Sequence, residues 1–431
     1  MHALPGTPPA GPGASLHPGS SLPGAGDSRD GQGGRGSGRR WAVLDLFSGA
    51  GGMSFGFCAH PAFAIAGAVD AQLGKPSAKR GGLGCNDSYQ VNVGIRPVEA
   101  DLGTADPAAI CRSIGLDEIT VLTACPPCTG FSRTTPANHL TDDARNSLVG
   151  VVGSYAELLR PQIVLVENAR ELVMGRFSGH LRRLLARLSG LGYRTRASTH
   201  VLSDFGLPQR RERALVVAVR EPLPLLGLAE LWSGLRVSPK ATHVRRAIWD
   251  LPPAAAGQAH PADPLHVSPA LTVVNQRRLA AIPGDGGSWT DLAAVPGLAH
   301  LLTPAMRRRA AAGQFGSHPD IYGRLRWDRP AVTVKRECGH LGNGRYAHPE
   351  QDRLCTVREM SLLQGFPRGY AFTGSLSNMY RHVGDAVPPL ISYQLAVLAE
   401  WILTGSRPPA ARLLLGGCHL TGDDLEPAGP R

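Results

Sequence analysis

Two cysteines flank a Pro-Pro pair in the segment TACPPCTGFS, residues 123–132, which continues an apolar run. Thiols at this spacing could belong to a zinc site, to a redox pair, or to a site in which one of them is a nucleophile. Zinc needs a second ligand pair, for which ECGH at 337–340 is the candidate. A redox pair is expected at a helix start in a small thioredoxin-like unit. The segment therefore favours a nucleophile, Cys128, and predicts no metal.

An acidic residue is expected opposite this nucleophile. The apolar runs ITVLTA (119–124) and QIVLV (162–166) precede Cys128 and Glu167, and both are typical of buried strands. Since α/β enzymes build their sites beyond the carboxyl ends of the strands, the two side chains should lie across one crevice. A thiolate and an acid together suit addition to an electron-poor ring, in which the acid supplies a proton or hydrogen bond as charge builds.

A glycine turn points to a nucleoside in the same crevice. The segment VLDLFSGAGGMSFGF (43–57) predicts a strand, a turn and then a helix from about Gly52. Ser54 occupies the third glycine position of the dinucleotide pattern, which argues against a dinucleotide. Asp70 closes the next strand, and Asp101 follows a third. A glycine turn with two carboxylates suits an adenosine without a phosphate chain, and S-adenosylmethionine fits that description.

The elements that must hold these residues are short apolar runs separated by helix-length segments. The runs are WAVLDLF, FAIAGAVD, ITVLTA, QIVLVEN and RALVVAVR. SGHLRRLLARLSGLG, at 178–192, predicts an amphipathic crossover helix closed by a glycine. The expected fold class is α/β, with a doubly wound, mostly parallel sheet.

Changes in composition divide the chain into five parts. Residues 1–40 are rich in Gly, Pro and Ser, which predicts a disordered leader. Residues 41–220 carry the strand rhythm and form the catalytic and cofactor domain. Residues 221–325 are rich in Pro, Ala and Arg and predict a second, smaller domain. We expect 326–404 to complete that region and to end in a helix from about 389 to 403, and 405–431 to be a weak tail.

The composition indicates a polyanionic partner. The formal charge is +11 and the pI is about 9.6, mostly from arginine, whose planar fork suits phosphate and guanine edges. Eight irregularly spaced cysteines predict free thiols in a reducing compartment. We find no apolar run of membrane-spanning length and no signal-peptide pattern, so the expected location is the cytoplasm.

Six motifs in order resemble the cytosine-5 DNA methyltransferase family. They are DLFSGAGGMSFGF, PPCTGFS, VENAR, DFGLPQRRER, TVREMSLLQGFP and YRHVGDAVPP. The resemblance covers nearly all of residues 41–403. It implies a Rossmann-like methyltransferase fold with a smaller, irregular target-recognition domain at about 221–325.

The resemblance implies a reaction on a cytosine flipped out of duplex DNA. Cys128 would add to carbon 6 of the ring while Glu167 engages ring nitrogen 3 and the exocyclic amine. Carbon 5 would then become nucleophilic enough to take a methyl group. Arg213 would contact the cytosine oxygen, and Arg211 would help hold the catalytic loop and a backbone phosphate.

The resemblance also implies how S-adenosylmethionine is held. The implied cofactor residues are Phe47, Gly49, Gly51, Asp70, Asp101, Leu102 and Asp385. Phe47 would lie along the adenine, Asp101 would bind its amine and Asp70 the ribose, and the two glycines would admit the methionine portion. The segment GDAVPP and its helix would pack back against the first strands.

The expected DNA contacts lie in two regions. Ser132 and Arg133, beyond Cys128, belong to the loop that should close over double-stranded DNA. Arg245 and Arg277 belong to the recognition segment, which would read base edges in the major groove. The recognised sequence cannot be read from these residues.

Three features depart from the family pattern. Thr129 stands where Gln usually follows the nucleophile, and Asp385 stands where Asn is usual in GNxxPP. A glycine- and lysine-containing insertion extends over 72–85. Two alternatives therefore stay open, namely a tRNA cytosine-5 methyltransferase and a DNA-binding homologue that has lost catalysis. The leading interpretation is a monomeric, sequence-specific DNA methyltransferase, with a cognate restriction endonuclease as a candidate partner.

Overall fold

A computed structural model describes residues 40–73, 82–127, 142, 144–315 and 320–429. Several predicted features lie outside these residues. They are the leader up to residue 39, most of the 72–85 insertion, Cys128, Thr129, Ser132 and Arg133.

Seven strands of the described chain form the main sheet, in the order β3-β2-β1-β4-β5-β7-β6. They are β1 Trp41–Leu46, β2 Phe63–Asp70, β3 Val98–Glu99, β4 Val121–Ala124, β5 Ile163–Ala169, β6 Tyr193–Val201 and β7 Glu212–Arg220. β7 is antiparallel to both of its neighbours, and the other adjacent strands are parallel. The predicted doubly wound, mostly parallel α/β sheet is confirmed. The strand order reverses between β1 and β4, which is where such sheets open a ligand crevice.

Helices cover both faces of this sheet. The first six are α1 Gly52–Ala59, α2 Cys85–Val93, α3 Pro107–Ile114, α4 Val151–Leu159, α5 Glu171–Met174 and α6 Gly179–Gly190. Strand side chains alternate between the faces, so that Val43 belongs to the same core as Phe57 of α1, and Leu44 belongs to the core that contains Leu184 of α6. α6 is the helix predicted at 178–192.

The edge strand β6 was not predicted from the sequence. Its residues, YRTRASTHV, are mostly polar, and Tyr193 alone among them is buried. A strand that pairs on one side and faces solvent carries no continuous apolar run, so the pattern that identified the central strands does not identify this one.

The remaining chain adds eight helices and four short strands among the described residues. They are α7 Leu228–Leu231, β8 Leu235–Val237, α8 Val244–Ile248, α9 Val273–Ala280, α10 Trp289–Ala293, α11 Pro304–Ala311, β9 Gly323–Arg324, β10 Arg345–Ala347, α12 Val357–Leu363, α13 Leu376–Asp385, α14 Pro389–Thr404 and β11 Leu425–Pro427. Short 3-10 turns lie at Ala144–Gly150, Leu202–Phe205, Pro239–Thr242, Ala299–Leu301, Leu341–Asn343, Ala410–Leu413 and Gly422–Asp424.

A second apolar core lies between residues 244 and 386 and includes Trp289 and Phe366. Trp232 and Ala241 instead pack into the core beside the main sheet. The predicted boundary at residue 221 is therefore too early, because the chain leaves the first core only after Ala241. The apolar residues of α7 and β8 keep this stretch on the first core although its strand rhythm has ended.

α14 returns the C-terminal chain to the main sheet. It packs against α1, where a Cβ on Gly56 would lie 2.2 Å from the backbone nitrogen of Tyr393. Ser392 Oγ donates a hydrogen bond to the carbonyl of Gly52 over 2.8 Å. This packing is what the sequence analysis expected of the helix, and the glycine of α1 allows the close approach.

The predicted weak tail from Gly405 is wrong for the described residues 405–429. β11 pairs antiparallel with β8, and Leu413 and Leu420 are buried in the first core. A few leucines suffice to hold this segment, although glycines and prolines surround them.

The stretch Leu376–Thr404 is long and apolar enough to cross a membrane by length and composition, and its most apolar window has a mean hydropathy of 1.4. It consists of α13 and α14, and 72% of its most apolar window is buried inside the protein. No apolar run of this length was expected from the sequence. Its burial is that of a core helix.

A buried ion pair in the second core should dominate local stability. Arg353 makes two hydrogen bonds to Glu359, of 2.7 and 2.8 Å, and both side chains are at most 2% exposed. We expect Glu359→Gln to lower the free energy of unfolding by about 3 kcal/mol, because a buried guanidinium would lose its counter-charge. Urea titration measures the change.

Asp250→Asn is the matched control, since Asp250 pairs with Arg368 on the surface. It should cost less than about 1 kcal/mol. Equal losses in the two variants would contradict the assigned role of burial.

Candidate active site and cofactor cavity

The glycine turn after β1 adopts backbone conformations that side chains rarely take. Phe47, Gly49 and Gly51 have positive φ angles of 58°, 53° and 96°. The amide of Gly49 donates to Asp70 Oδ2 over 2.8 Å, which ties the turn to the end of β2. Left-handed backbone at a bulky residue such as Phe47 is uncommon and occurs most often at functional sites.

Gly51 is not among the residues that line the cavity, and its predicted part in admitting the methionine portion stays a prediction. A Cβ at this position would lie 3.0 Å from the hydroxyl of Tyr370 and 3.2 Å from the ring of Tyr89. Tyr370 also donates a hydrogen bond to the carbonyl of Ala50. Glycine is therefore needed at this position because the two tyrosine rings leave too little space for a side chain.

A buried hydrogen-bond network supports the turn from below. Asp45 is fully buried and accepts hydrogen bonds from Ser54 over 2.6 Å and from Thr123 over 2.8 Å. Tyr89 donates to Ser54 over 2.6 Å. Burial raises the pKa of Asp45 to about 7, although the hydrogen bonds from Ser54 and Thr123 act in the opposite direction.

One cavity joins the turn to the ends of β2, β4 and β5. It brings together nine of the predicted site residues: Phe47, Gly49, Asp70, Asp101, Leu102, Glu167, Arg211, Arg213 and Asp385. Cys125, Pro126 and Pro127 line the same cavity. Cys128 follows Pro127 in the chain and lies outside the described residues.

Backbone amides orient both predicted cofactor acids. Asp70 Oδ1 accepts a hydrogen bond from the amide of Gln72 over 2.6 Å, and Asp101 Oδ1 accepts one from the amide of Gly103 over 2.9 Å. These bonds hold the carboxylates at the cavity wall, where hydroxyl and amine donors of a ligand could reach them.

The acid Glu167 forms an ion pair with a half-buried arginine. Arg213 Nε lies 2.8 Å from Glu167 Oε1, and the two side chains are 13% and 10% exposed. Arg213 lies opposite Ala169 in the antiparallel pairing of β5 and β7, so Glu167, two residues away, shares its face of the sheet. The strand register therefore brings the two side chains together.

Arg211 turns away from solvent. Its side chain is buried and donates to the carbonyl of Val334 over 2.9 Å, with longer contacts of 3.4 and 3.5 Å to the carbonyls of Gly384 and Ala386. These bonds join β7 to the end of α13. They give Arg211 a structural role, and its predicted contacts with the catalytic loop and a backbone phosphate stay predictions.

Asn168 was not singled out from the sequence. It is buried beside Glu167, and its Nδ2 donates to the carbonyl of Pro126 over 2.9 Å. The bond fixes the chain two residues before Cys128 to the strand that carries Glu167. The only sequence signal was its adjacency to the acid in VENAR.

A second ion pair lines the cavity. Arg336 Nε lies 3.1 Å from Asp385 Oδ2. Although 43% of the Asp385 side chain is exposed, it opens into the cavity, and loss of hydration there raises its pKa to about 6 against the lowering effect of Arg336. No sequence motif pointed to Arg336, which is 49 residues from its partner in the chain.

The other predicted contacts lie away from this cavity or outside the described chain. Arg245 pairs with Asp328 over 3.1 Å and stacks 4.4 Å from the Trp249 ring, and Arg277 is exposed on α9. Neither lines the cavity. Ser132 and Arg133 are not described, so all four DNA contacts stay predictions. Cys338, from the alternative zinc pair, is buried against the carbonyl of Tyr380.

A family model decides the class of the protein. The model of the C-5 cytosine-specific DNA methylases matches residues 41–398. The chain belongs to this family. The prediction of a DNA (cytosine-5)-methyltransferase is confirmed, and this class of enzyme uses S-adenosylmethionine as its methyl donor.

Individual members of the family are similar to this chain over most of its length. The Type II methylase M.HgiDII of Herpetosiphon aurantiacus is 28% identical over 369 residues, covering 84% of this chain and 96% of the relative. The Type II methyltransferase M.AgeI of Thalassovita gelatinovora is 26% identical over 438 residues, covering 82% and 98%. The crystal structure of the S. pombe Dnmt2 methyltransferase has a TM-score of 0.53 at 17% identity, covering 84% of this chain and 99% of the other, and it shows the shared fold.

The buried carboxyl of Asp45 makes stability depend on pH. Its folded pKa of about 7 exceeds its ordinary value of 3.8, so the folded state keeps a proton that the unfolded state has lost. The free energy of unfolding should therefore fall as pH rises, by about 3 kcal/mol between pH 5 and 8. Asp45→Asn should remove this component, and urea titrations across that range measure it.

Asp250→Asn serves again as the control, because it removes a carboxylate at the surface and leaves the buried network around Asp45 intact. Parallel curves for the natural protein and Asp45→Asn would show that Asp45 is not the titrating group.

Proposed function

We propose that the chain transfers a methyl group from S-adenosylmethionine to carbon 5 of a cytosine flipped out of duplex DNA, with Cys128 as nucleophile and Glu167 as the acid. One observation carries this proposal. The Glu167–Arg213 pair, Pro126 and Pro127 line the same cavity as the glycine turn and its carboxylates. A cytosine site and a methyl-donor site would then share one enclosure.

The chemistry of the cavity fits the cofactor. Phe47 and Leu102 offer apolar surface for an adenine, and Asp70 and Asp101 offer acceptors for ribose and amine groups. Ser48 Oγ is buried at the cavity without a hydrogen-bond partner among the described residues, which a polar ligand would satisfy. S-adenosylmethionine supplies an electrophilic methyl group on a positively charged sulfur.

Carbon 5 of cytosine is a weak nucleophile and must be activated. The Cys128 thiolate forms a bond to carbon 6, and the displaced electron pair moves toward carbon 5 and ring nitrogen 3. Glu167 hydrogen-bonds ring nitrogen 3 and the exocyclic amine, which stabilises the charge that builds there. Carbon 5 would bond to the donated methyl group as the bond between that methyl and the sulfonium sulfur breaks, which leaves a neutral thioether. A base then removes the proton from carbon 5, and the returning electron pair expels the Cys128 thiolate.

Two neighbouring side chains orient the acid and the loop that bears the nucleophile. Arg213, 2.8 Å from Glu167, fixes the direction of the carboxylate and can reach the cytosine oxygen. Asn168, through its 2.9 Å bond to Pro126, fixes the start of the loop that bears the nucleophile. Prior orientation of both reacting groups lowers the entropic cost of the addition.

The DNA-facing part of the proposal rests on charge. The net charge of +11 favours a polyanion, and Arg277 and the run Arg307–Arg309 stand on α9 and α11 of the region expected to read the sequence. The relatives named as Type II enzymes support a sequence-specific modification role, with a cognate endonuclease as partner. We propose a monomer acting in the cytoplasm.

Methyl transfer tests the proposal. The protein is incubated with tritiated S-adenosylmethionine and either unmethylated plasmid DNA of mixed sequence or tRNA. Label should enter DNA, and Cys128→Ala should reduce it at least about a thousandfold, since removing a nucleophile removes the addition step. Cys125→Ala, which alters the neighbouring thiol at the cavity, should retain activity within about tenfold.

Label in tRNA alone would replace this proposal with an RNA methyltransferase. Label in neither nucleic acid would favour a DNA-binding homologue without catalysis. Full activity of Cys128→Ala would show that the nucleophile was wrongly chosen.

A further inference from the structure

Two backbone segments join the first core to the second beside the cavity. The amide of Arg210 donates to the carbonyl of Ala331 over 2.8 Å, and the amide of Ala331 donates to the carbonyl of Pro208 over 3.0 Å. We call residues 208–211 and 329–334 together the junction ribbon. Its paired backbones hold the side chains of the two segments in a fixed relation.

A groove on the surface of the junction ribbon contains one arginine from each segment. It is lined by Val201, Ser203, Asp204, Arg210, Arg329 and Pro330. Both arginines are exposed, although Gln209 and Arg211, on either side of Arg210, are buried. Neither Arg210 nor Arg329 forms an ion pair with another described residue. Two guanidinium groups are therefore available to a ligand.

The charges in and beside the groove favour an anion. Asp204 is the one acid among the lining residues, and burial raises the pKa of its carboxyl, whereas Arg210 acts in the opposite direction. Asp328, next to Arg329 in the chain, pairs instead with Arg245 over 3.1 Å. The groove thus presents two guanidinium groups and one carboxylate, which gives it a net positive charge.

The groove lies at the edge of the sheet where the cytosine would bind. Ser203 follows β6, and Arg210 precedes β7, which carries the Arg213 partner of Glu167. β6 is two strands from β5, and neighbouring strands lie about 4.8 Å apart, so the groove is about 10 Å from the end of β5. Base pairs rise by about 3.4 Å, so this separation corresponds to about three nucleotides.

A phosphodiester suits the groups that the groove presents. The planar forks of two arginines can each donate two parallel hydrogen bonds to phosphate oxygens, and the hydroxyl of Ser203 is a further donor. A duplex with its cytosine at Glu167 would carry backbone phosphates past this position. The groove therefore matches a ligand that the reaction itself brings.

Building on the proposed function, we infer that Arg210 and Arg329 together bind one backbone phosphate of the DNA near the flipped cytosine. Arg210 stands before β7, which packs in the first core, and Arg329 precedes Ala331 of the second core. One phosphate then contacts both cores. The two arginines act in binding, and their contact carries no sequence information.

Duplex binding at several salt concentrations tests the inference. A fluorescein-labelled duplex of mixed sequence is titrated with each protein, and fluorescence anisotropy gives the affinity. Arg210→Gln and Arg329→Gln should each weaken binding about tenfold, as expected for loss of a charge-assisted contact. The slope of log affinity against log salt should become less steep by up to about 0.9. Duplexes of unrelated sequence should show the same losses.

The double variant tests whether the two arginines share a phosphate. Its loss of affinity should be smaller than the product of the two single losses, because the first substitution already weakens the contact of the other arginine. The salt slope should change by no more than about 0.9 in total.

Arg236→Gln is the matched control. Arg236 is exposed, pairs with Glu426 and lies on β8, outside the groove, so its loss removes the same charge elsewhere. Affinity should stay within about twofold of the natural protein. Because Arg210 and Arg329 are exposed, their variants should keep the urea midpoint of the natural protein, and Arg210→Lys should retain more affinity than Arg210→Gln.

Single variants that lose no more affinity or salt dependence than Arg236→Gln would overturn the inference. A double variant whose salt slope changes by about 1.8 would overturn the shared phosphate. Both results would leave the proposed function intact, because methyl transfer by Cys128 is measured separately. If the natural protein binds tRNA and no duplex DNA, the proposed substrate fails and this inference falls with it.

Discussion

The ion pair between Glu167 and Arg213 is the constraint on which the site depends. Each side chain is nearly buried, and a charge in that position is tolerated only beside its partner. The antiparallel register of β5 and β7 brings the two together, whereas an all-parallel sheet would need a crossover connection between them. The single reversed strand of the sheet is therefore what supports the acid at the cavity.

The second half of the chain completes a cavity that the first half begins. Tyr370 holds the glycine turn through Ala50, and α14 covers α1. Arg211 ties β7 to the end of α13, beside the Arg336–Asp385 pair. Residues more than 300 positions apart thus share one set of hydrogen bonds. A substitution in the second core should therefore alter the conformation of the glycine turn.

Local patterns predicted the central strands, the glycine turn, α6 and a shared crevice for Asp70, Asp101 and Glu167, because each depends on an apolar run or a turn residue close by. The family resemblance, and no local pattern, placed Phe47, Leu102, Arg211, Arg213 and Asp385 at the same cavity. Features set by distant partners could not be predicted. Gly51 lies against two tyrosine rings that leave no room for a side chain. Arg211 contacts three backbone carbonyls, and Arg336 pairs with Asp385. The polar edge strand β6 and the tail were missed because their few apolar residues form no run.

The covalent bond between protein and cytosine tests the account most directly. Duplex DNA bearing 5-fluorocytosine at the modified site should be trapped, because carbon 5 then has no proton to lose. A crystal structure of this adduct with S-adenosylhomocysteine should show Cys128 Sγ bonded to carbon 6, with Glu167 at ring nitrogen 3. A bond to Cys125, or a base bound away from Glu167, would contradict the account.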